Sequence, residues 1–260
     1  MLFCSAQFKS YWENPGNNLF FAEKLIAKAA QRGADLIAFS EQFLTGWNPV
    51  PDLNIEDISG LTISALKKAA RENCITVISG FREKNEKGLP YNSVVVIDSY
   101  GMIKGVYRKI HLFSPLHEDE YYTRGDSLLI FEIKGVRIGL AICYDLRFAE
   151  LFLAYEKRGV DLVIIPASWP EERILHWKIL IQSRSVDFGL YVAGVNALGE
   201  TPYGKYNGNS MIVTPDGTVI SDAQENETLT FKQIEPKISG GTWQMEVSFH
   251  DRREDLYPVL

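Results

Sequence analysis

Three residues of different chemistry stand at the ends of apolar, strand-like segments. Cys143 follows the apolar run Val136 to Ile142 and precedes Tyr144-Asp145-Leu146-Arg147-Phe148, a polar turn leading into the helix-like Ala149 to Arg158. A thiol on such a strand-to-helix elbow faces outward beside the first unpaired N–H groups of the next helix. That setting favours thiolate and can receive an oxyanion. Glu41 follows Ala34-Asp35-Leu36-Ile37-Ala38-Phe39-Ser40, and Lys109 follows Val106-Tyr107-Arg108. A nucleophile, a carboxylate base and a cation at strand ends are the parts of an acyl-transfer site. Taken singly, each has a plain structural reading: a small buried hydrophobe, a turn carboxylate, a solvated edge-strand charge.

The elements that must position them alternate between strand and helix periods. Leu2 to Phe8 reads as a strand, Asn17 to Arg32 as a helix in which Leu19, Phe20, Ala22, Glu23, Leu25, Ile26 and Ala29 give a 3.6-period apolar face, and Asp35 to Ser40 as a second strand. Ser59 to Glu72 predicts a helix and Cys74 to Phe81 a strand. Tyr91 to Ile97 and Ile103 to Lys109 form a hairpin around Asp98-Ser99-Tyr100-Gly101. Leu128 to Ile133 and Val136 to Ile142 flank Lys134-Gly135; Ala149 to Arg158 (helix), Leu162 to Pro166 (strand), Ile174 to Ser185 (helix) and Tyr191 to Asn196 (strand) follow. A last hairpin joins Gly208 to Val213 with Val219 to Ser221 through Pro215-Asp216-Gly217. The stretch Gln31-Arg32-Gly33-Ala34-Asp35-Leu36-Ile37 is echoed by Lys157-Arg158-Gly159-Val160-Asp161-Leu162-Val163, which is common helix-to-strand loop chemistry or the trace of a duplication. Two similar halves imply two central sheets with helices outside, an α/β layered architecture.

At 260 residues, with 46% hydrophobic and 23% charged residues, the chain can bury a large core and is expected to be one domain over 1–260. A net charge of -6 and the lack of a basic stripe interleaved with aromatics argue against a nucleic-acid partner. Cys4 and Cys74 fall in apolar strand-like segments and are expected to pack as small hydrophobes, without a disulfide scaffold. The 4 histidines have no ligand spacing, so neither a metal nor another cofactor is expected. No basic segment precedes the apolar run at Met1-Leu2-Phe3, and no apolar stretch approaches the ~20 residues of a membrane span, so a cytoplasmic protein is expected.

Ser40-Glu41-Gln42-Phe43-Leu44-Thr45-Gly46, Tyr107-Arg108-Lys109-Ile110-His111-Leu112-Phe113 and Ala141-Ile142-Cys143-Tyr144-Asp145-Leu146-Arg147-Phe148 resemble, in order, the three signature segments of the nitrilase (carbon-nitrogen hydrolase) superfamily. Gln182-Ser183-Arg184-Ser185-Val186-Asp187 and Gly208-Asn209-Ser210 are similar to later blocks of that family. The resemblance implies a four-layer αββα sandwich, with Cys143 as nucleophile, Glu41 as general base and Lys109 beside the oxyanion, joined by the backbone N–H of Tyr144. Many relatives carry a second glutamate before a glycine ahead of the cysteine strand. Glu118, seven places before Gly125, fits that spacing better than Glu120, although Leu116-His117-Glu118-Asp119-Glu120 also reads as an acidic surface loop. His111 is expected to be a packed histidine rather than a partner of the thiol, and Arg147 and Glu150 to form a structural ion pair or subunit contacts. Trp169 reads equally as pocket wall and as core.

Within the superfamily, Cys143 to Phe148, Pro166-Ala167-Ser168-Trp169-Pro170 and His176-Trp177 look most like the omega-amidase group, whose members hydrolyse the terminal amide of 2-oxoglutaramate or succinamate. The small-molecule amide would need a clamp for its distant carboxylate, for which Arg173, Lys205, Tyr122 and Tyr203 are candidates on loops. N-carbamoyl-amine hydrolysis is the alternative with the same four catalytic residues, and a non-catalytic scaffold is the alternative of another class. Phe249-His250-Asp251-Arg252-Arg253-Glu254-Asp255-Leu256-Tyr257 resembles a tail that crosses a subunit interface in relatives, which implies a homodimer.

Overall fold

The computed structural model describes residues 1–236, Arg253 and Asp255, so the 249–257 segment lies, apart from those two residues, outside the described residues. Among the described residues, fifteen strands and five α-helices follow one another as β1 (Leu2–Gln7), α1 (Pro15–Gln31), β2 (Leu36–Ala38), β3 (Ile55–Glu56), α2 (Leu61–Glu72), β4 (Thr76–Glu83), β5 (Tyr91–Ile97), β6 (Ile103–Arg108), α3 (Glu118–Tyr121), β7 (Ile130–Ile133), β8 (Val136–Leu140), α4 (Ala149–Glu156), β9 (Leu162–Ala167), α5 (Ile174–Phe188), β10 (Tyr191–Asn196), β11 (Leu198–Thr201), β12 (Gly204–Asn207), β13 (Met211–Val213), β14 (Val219–Asp222) and β15 (Thr228–Gln233). One sheet has the order β15-β1-β2-β4-β5-β6, with β3 also on β4; the other runs β14-β13-β10-β9-β8-β7. Parallel strands β1, β2 and β4 form the centre of the first, and β8, β9 and β10 that of the second.

Strand alternation builds three apolar layers from these two sheets. Phe3, Leu36, Ala38, Ile78 and Val94 point one way and meet Ile138, Leu140, Leu162, Ile164 and Val195 between the sheets. Their neighbours Cys4, Ile37, Val77 and Val95 point the other way, under Ala22 and Ile26 of α1 and Leu66 and Ala70 of α2. Val163, Ile165 and Val192 likewise pack under Phe152 of α4 and Trp177 and Ile181 of α5. Because both sheet faces are covered, the central strands are apolar on both sides, and each buried Leu or Ile contributes about 1.5–3 kcal/mol. The outcome is the αββα sandwich expected from the sequence.

Two local expectations are corrected. Cys74 does not pack in a strand: it is exposed, at φ 51, in the reversal between α2 and β4, which starts two residues later at Thr76. A left-handed residue is what turns the chain there, and its side chain consequently points to solvent. Cys4, in contrast, is buried, and burial pushes its thiol pKa up to about 12. The sequence reading also passed over β15, which pairs with β1 to extend the first sheet, and the β11–β12 hairpin, which a bridge between Lys9 and Leu198 ties to the body. Among the described residues, no helix is long and apolar enough to cross a membrane, and no group of His, Cys, Asp and Glu could hold a metal ion.

Candidate active site

Glu41 lies in the turn after β2, where Gln42 adopts φ 45. That turn rests directly on β4: a Cβ on Gly80 would stand 2.4 Å from the Gln42 nitrogen, so only glycine permits the approach. Lys109 directly follows β6, held by its own N–H to the Asn92 carbonyl at 2.9 Å and by its carbonyl, which accepts from the Gly125 N–H at 2.8 Å. Gly125 is required there as well, since a Cβ would lie 2.1 Å from the Arg108 carbonyl oxygen. His117, at φ 60, separates a short 3-10 turn (Ser114–Leu116) from α3 and sets Glu118 at the start of that helix, facing inward.

These turns bring three charges into contact away from water. Lys109 Nζ donates to Glu41 Oε1 at 2.9 Å and to Glu118 Oε1 and Oε2 at 3.1 and 2.9 Å; the three side chains are 1% exposed or less. Asn92 Nδ2 donates to Glu41 Oε1 and Glu118 Oε1, both at 2.8 Å. The Ser168 N–H donates to Glu41 Oε2 at 2.9 Å, the Phe113 N–H to Glu118 Oε2 at 2.6 Å and Trp47 Nε1 to Glu118 Oε1 at 3.3 Å. Glu120 instead pairs with His117 on the surface, so Glu118 is the glutamate that meets Lys109. Burial opposes the Lys109 charge, but Glu118 and Glu41 outweigh it and hold the ammonium protonated. Burial raises the Glu41 pKa; Lys109 pulls it down, Glu118 pushes it up, and the net direction is upward. A base raised from the ordinary carboxylate range is better matched to neutral pH.

Cys143 follows β8 and opens a second 3-10 turn (Cys143–Arg147) before α4. Its φ of 43 is a left-handed conformation for a non-glycine residue, a strain of order 1–3 kcal/mol that the surroundings must hold. Asp145 holds it, accepting from Tyr107 Oη at 2.8 Å and from the N–H groups of His111 and Ile142, both at 2.9 Å. Arg184 of α5 donates to the Leu146 and Arg147 carbonyls from the other side. His111 places Nδ1 2.8 Å from Asp145 Oδ1 and stacks on Phe148 at 3.6 Å, which makes it the packed histidine expected and no partner of the thiol. Tyr144 is the second residue of that 3-10 turn, directly after the nucleophile position. One expectation reverses: burial, then the Glu41 charge, raise the Cys143 pKa well above that of a free thiol, and Lys109 only partly offsets them. These surroundings favour the thiol form of the sulfur.

A cavity of ≈ 480 Å³ opens over Cys143 and Lys109. Trp169 forms part of its wall while its ring contacts Trp177 in the core, so both readings of that residue hold. Arg173, Tyr203 and Lys205 line it, with Arg173 engaged by Glu172 at 3.0 Å. Tyr122 does not: it is buried, its hydroxyl donating to the Asn48 carbonyl and accepting from Gln42 Nε2, behind the charged cluster. Arg147 was expected to join Glu150 in a structural ion pair or to make subunit contacts; among the described residues its guanidinium meets His176 Nδ1 at 3.4 Å instead of Glu150. Its guanidinium lies over the Trp169 ring at 4.8 Å, within the cavity lining. Asn92, Asp145 and the Ser168 N–H were not singled out in the sequence. A buried-strand pattern, Tyr91-Asn92-Ser93-Val94-Val95-Val96-Ile97, interrupted by an amide was the available signal for the first.

An αββα sandwich with a thiol, two glutamates and a lysine gathered at the ends of its strands is the architecture of a cysteine-dependent hydrolase of carbon-nitrogen bonds. The family described as carbon-nitrogen hydrolase matches residues 4–239, and the chain belongs to it. It is 30% identical over 252 residues to the 2-oxoglutaramate amidase of Bacillus subtilis (strain 168), covering 96% of this chain and 97% of that one. It is 32% identical over 255 residues to omega-amidase NIT2 of Homo sapiens, covering 94% and 92%. A CN-hydrolase superfamily protein from Xanthomonas campestris has the same fold at a TM-score of 0.83 and 25% identity, over 90% of each chain. An amidase from Nesterenkonia sp. superposes at 0.84 with 22% identity, over 99% of this chain and 95% of that one.

Proposed function

We propose that this enzyme hydrolyses the terminal amide of a small dicarboxylic acid monoamide of the 2-oxoglutaramate or succinamate type. The observation that carries the reading is the pairing of two features in one cavity. Its floor holds the Lys109 ammonium between Glu41 and Glu118, and its lining holds Arg147, which is bonded to no carboxylate among the described residues. Its guanidinium lies over the Trp169 ring at 4.8 Å with Nη2 3.4 Å from His176 Nδ1, and its remaining N–H groups can take a carboxylate. The names borne by the Bacillus and human relatives support the same substrate class.

The roles follow from the geometry. Because burial and the Glu41 charge favour the thiol, its deprotonation by Glu41 accompanies attack on the amide carbon. The oxyanion forms beside Lys109 Nζ and the Tyr144 N–H, donors already oriented by the fold. Glu118 and Asn92 keep the ammonium and the Glu41 carboxylate in register. Protonated Glu41 returns its proton to the departing nitrogen, ammonia leaves, and a thioester remains on Cys143. Glu41 then deprotonates a water that attacks the thioester, and the proton passes to the leaving sulfur. A non-catalytic scaffold would have no use for three buried charges, whose desolvation costs several kcal/mol each. The proposal extends to a cytoplasmic homodimer of one domain over 1–260, supported by the resemblance of the 249–257 segment to an interface tail.

Ammonia release from 2-oxoglutaramate, succinamate, N-carbamoyl-β-alanine, glutamine and a simple nitrile tests the reading, with Cys143→Ala alongside. Activity confined to the two monoamides is the expected result. Preference for the carbamoyl compound would replace the substrate class, and silence on all five would overturn the enzyme.

A further inference from the structure

Arg82 lies on β4 directly opposite Asn92 of β5, so the two side chains share one face of the sheet. It is wholly buried and takes no part in lining the cavity over Cys143. All the N–H donors of its guanidinium are used. Nε donates to Gln42 Oε1 at 2.9 Å, Nη1 to Glu13 Oε2 at 2.9 Å and the Leu53 carbonyl at 3.0 Å, and Nη2 to Glu13 Oε1 at 2.7 Å and the Gly46 carbonyl at 2.9 Å. Glu13, in the loop between β1 and α1, thus meets Arg82 through both oxygens, and it also accepts from Asn48 Nδ2 at 3.2 Å and Asn54 Nδ2 at 2.7 Å. Burial pushes the Glu13 pKa up, but the hydrogen bonds and charge of Arg82 outweigh it, and the net direction is down.

These contacts fall on the segment that carries Glu41. Gln42, Gly46, Asn48, Leu53 and Asn54 all belong to the connection between β2 and β3, and the Glu13 N–H adds a bond to the Thr45 carbonyl at 2.8 Å. Glu13, Gln42 and Asn54 hold φ of 46, 45 and 56, left-handed values that a non-glycine residue keeps only where its surroundings impose them. Gln42 is the link to the catalytic floor. It directly follows Glu41, and its Nε2 donates to Tyr122 Oη at 3.1 Å. Tyr122 in turn donates its N–H to the Glu118 carbonyl at 2.9 Å, at the end of α3. One chain of hydrogen bonds therefore runs from Arg82 through Gln42 and Tyr122 to the backbone beside both glutamates that flank Lys109.

We propose that Arg82, clamped by Glu13, is a positioning residue that sets Glu41 and Glu118 at their working distance around Lys109. A buried ion pair adds little stability that apolar residues of the same volume would not supply. What a guanidinium alone supplies is a rigid plane of donors in fixed directions. Here that plane fixes an irregular connection whose first turn presents the general base. The inference rests on Glu41 and Glu118 acting as read above, and not on which amide is cleaved. Since neither Arg82 nor Glu13 lines the main cavity, loss of the pair slows the chemistry and spares substrate binding.

Arg82→Met, Glu13→Gln and the two combined are compared with wild type on whichever of the five compounds above the wild type turns over fastest, at a temperature where circular dichroism shows each protein folded. The expected result is a kcat about 30-fold lower for Arg82→Met and about fivefold lower for Glu13→Gln, with KM within about twofold of wild type in both. The combined variant should be no slower than Arg82→Met by more than about twofold, because the two side chains act as one unit. Should Arg82→Met fail to fold, the split between kcat and KM in Glu13→Gln decides the matter. A wild-type kcat with only the thermal midpoint lowered would show a purely structural pair and overturn the inference, as would a raised KM at unchanged kcat; both leave the enzyme reading standing. A wild type silent on all five compounds would instead overturn that reading and this inference with it.

Discussion

The floor and the rim of the main cavity are built on opposite principles. On the floor, Glu41, Lys109 and Glu118 are almost wholly buried, and each charge has at least two partners from different elements. On the rim, Arg147 and Arg173 come from two 3-10 turns and Lys205 and Tyr203 from a short hairpin, and Lys205 is exposed. The contrast separates two jobs. Bond making needs groups that cannot reorient in a medium where charges interact strongly, whereas substrate choice needs groups that a few loop residues can supply or withdraw.

Changes on the floor should therefore break the reaction, and changes on the rim should retune it. Cys143→Ala removes the nucleophile and should lower kcat at least ~10⁴-fold while thermal unfolding stays intact. Glu118→Gln keeps the shape but removes one charge beside Lys109, and kcat should fall about 10²-fold. Its pH profile gives a sharper readout. The Glu118 charge raises the Glu41 pKa, so its removal should move the acid limb of kcat/KM to lower pH. Asn92→Ala deletes a hydrogen bond that lowers the Glu41 pKa, so its acid limb should move the opposite way, to higher pH, with a smaller loss of rate. Shifts in the same direction for both variants would break the account of the floor.

Arg147→Gln should raise KM for succinamate about 30-fold, the loss of one charge-assisted contact of about 2 kcal/mol, and leave kcat within a few-fold. Turnover of an uncharged amide such as butyramide should be almost unaffected. An equal loss on both substrates would show that Arg147 serves the elbow and not selectivity. Cys74→Ser, far from either region on an exposed turn, should change neither activity nor stability by more than about 0.5 kcal/mol.

The sequence made the floor readable and the rim largely not. Cys143, Glu41 and Lys109 follow apolar strands, so their placement at strand ends is dictated by burial of the residues before them. Spacing to Gly125 favours Glu118 over Glu120 but leaves an acidic surface loop as the other reading, because the outcome depends on the left-handed turn at His117 that swings the first carboxylate inward. Arg147 beside Glu150 reads as a local ion pair or a subunit contact; its guanidinium instead lies over Trp169 and near His176, 29 residues away on α5. Tyr122 reads as a loop residue open to substrate, but Gln42 and Asn48 draw its hydroxyl inward. The β11–β12 hairpin left too little pattern, since Leu198-Gly199-Glu200-Thr201 and Gly204-Lys205-Tyr206-Asn207 have neither length nor alternation enough to signal strands. Cys74 begins an apolar run in the sequence, but the helix-to-strand reversal consumes its first residue.

The central claim is that Cys143 carries the acyl group of a dicarboxylic acid monoamide. Acid-quenching the enzyme during turnover of succinamate, followed by mass spectrometry of its peptides, tests it directly, with buried Cys4 and exposed Cys74 as internal controls. A succinyl mass on the Cys143 peptide, absent from the other two, is the expected result. Sustained ammonia release with Cys143 unmodified, or undiminished in Cys143→Ala, would contradict it.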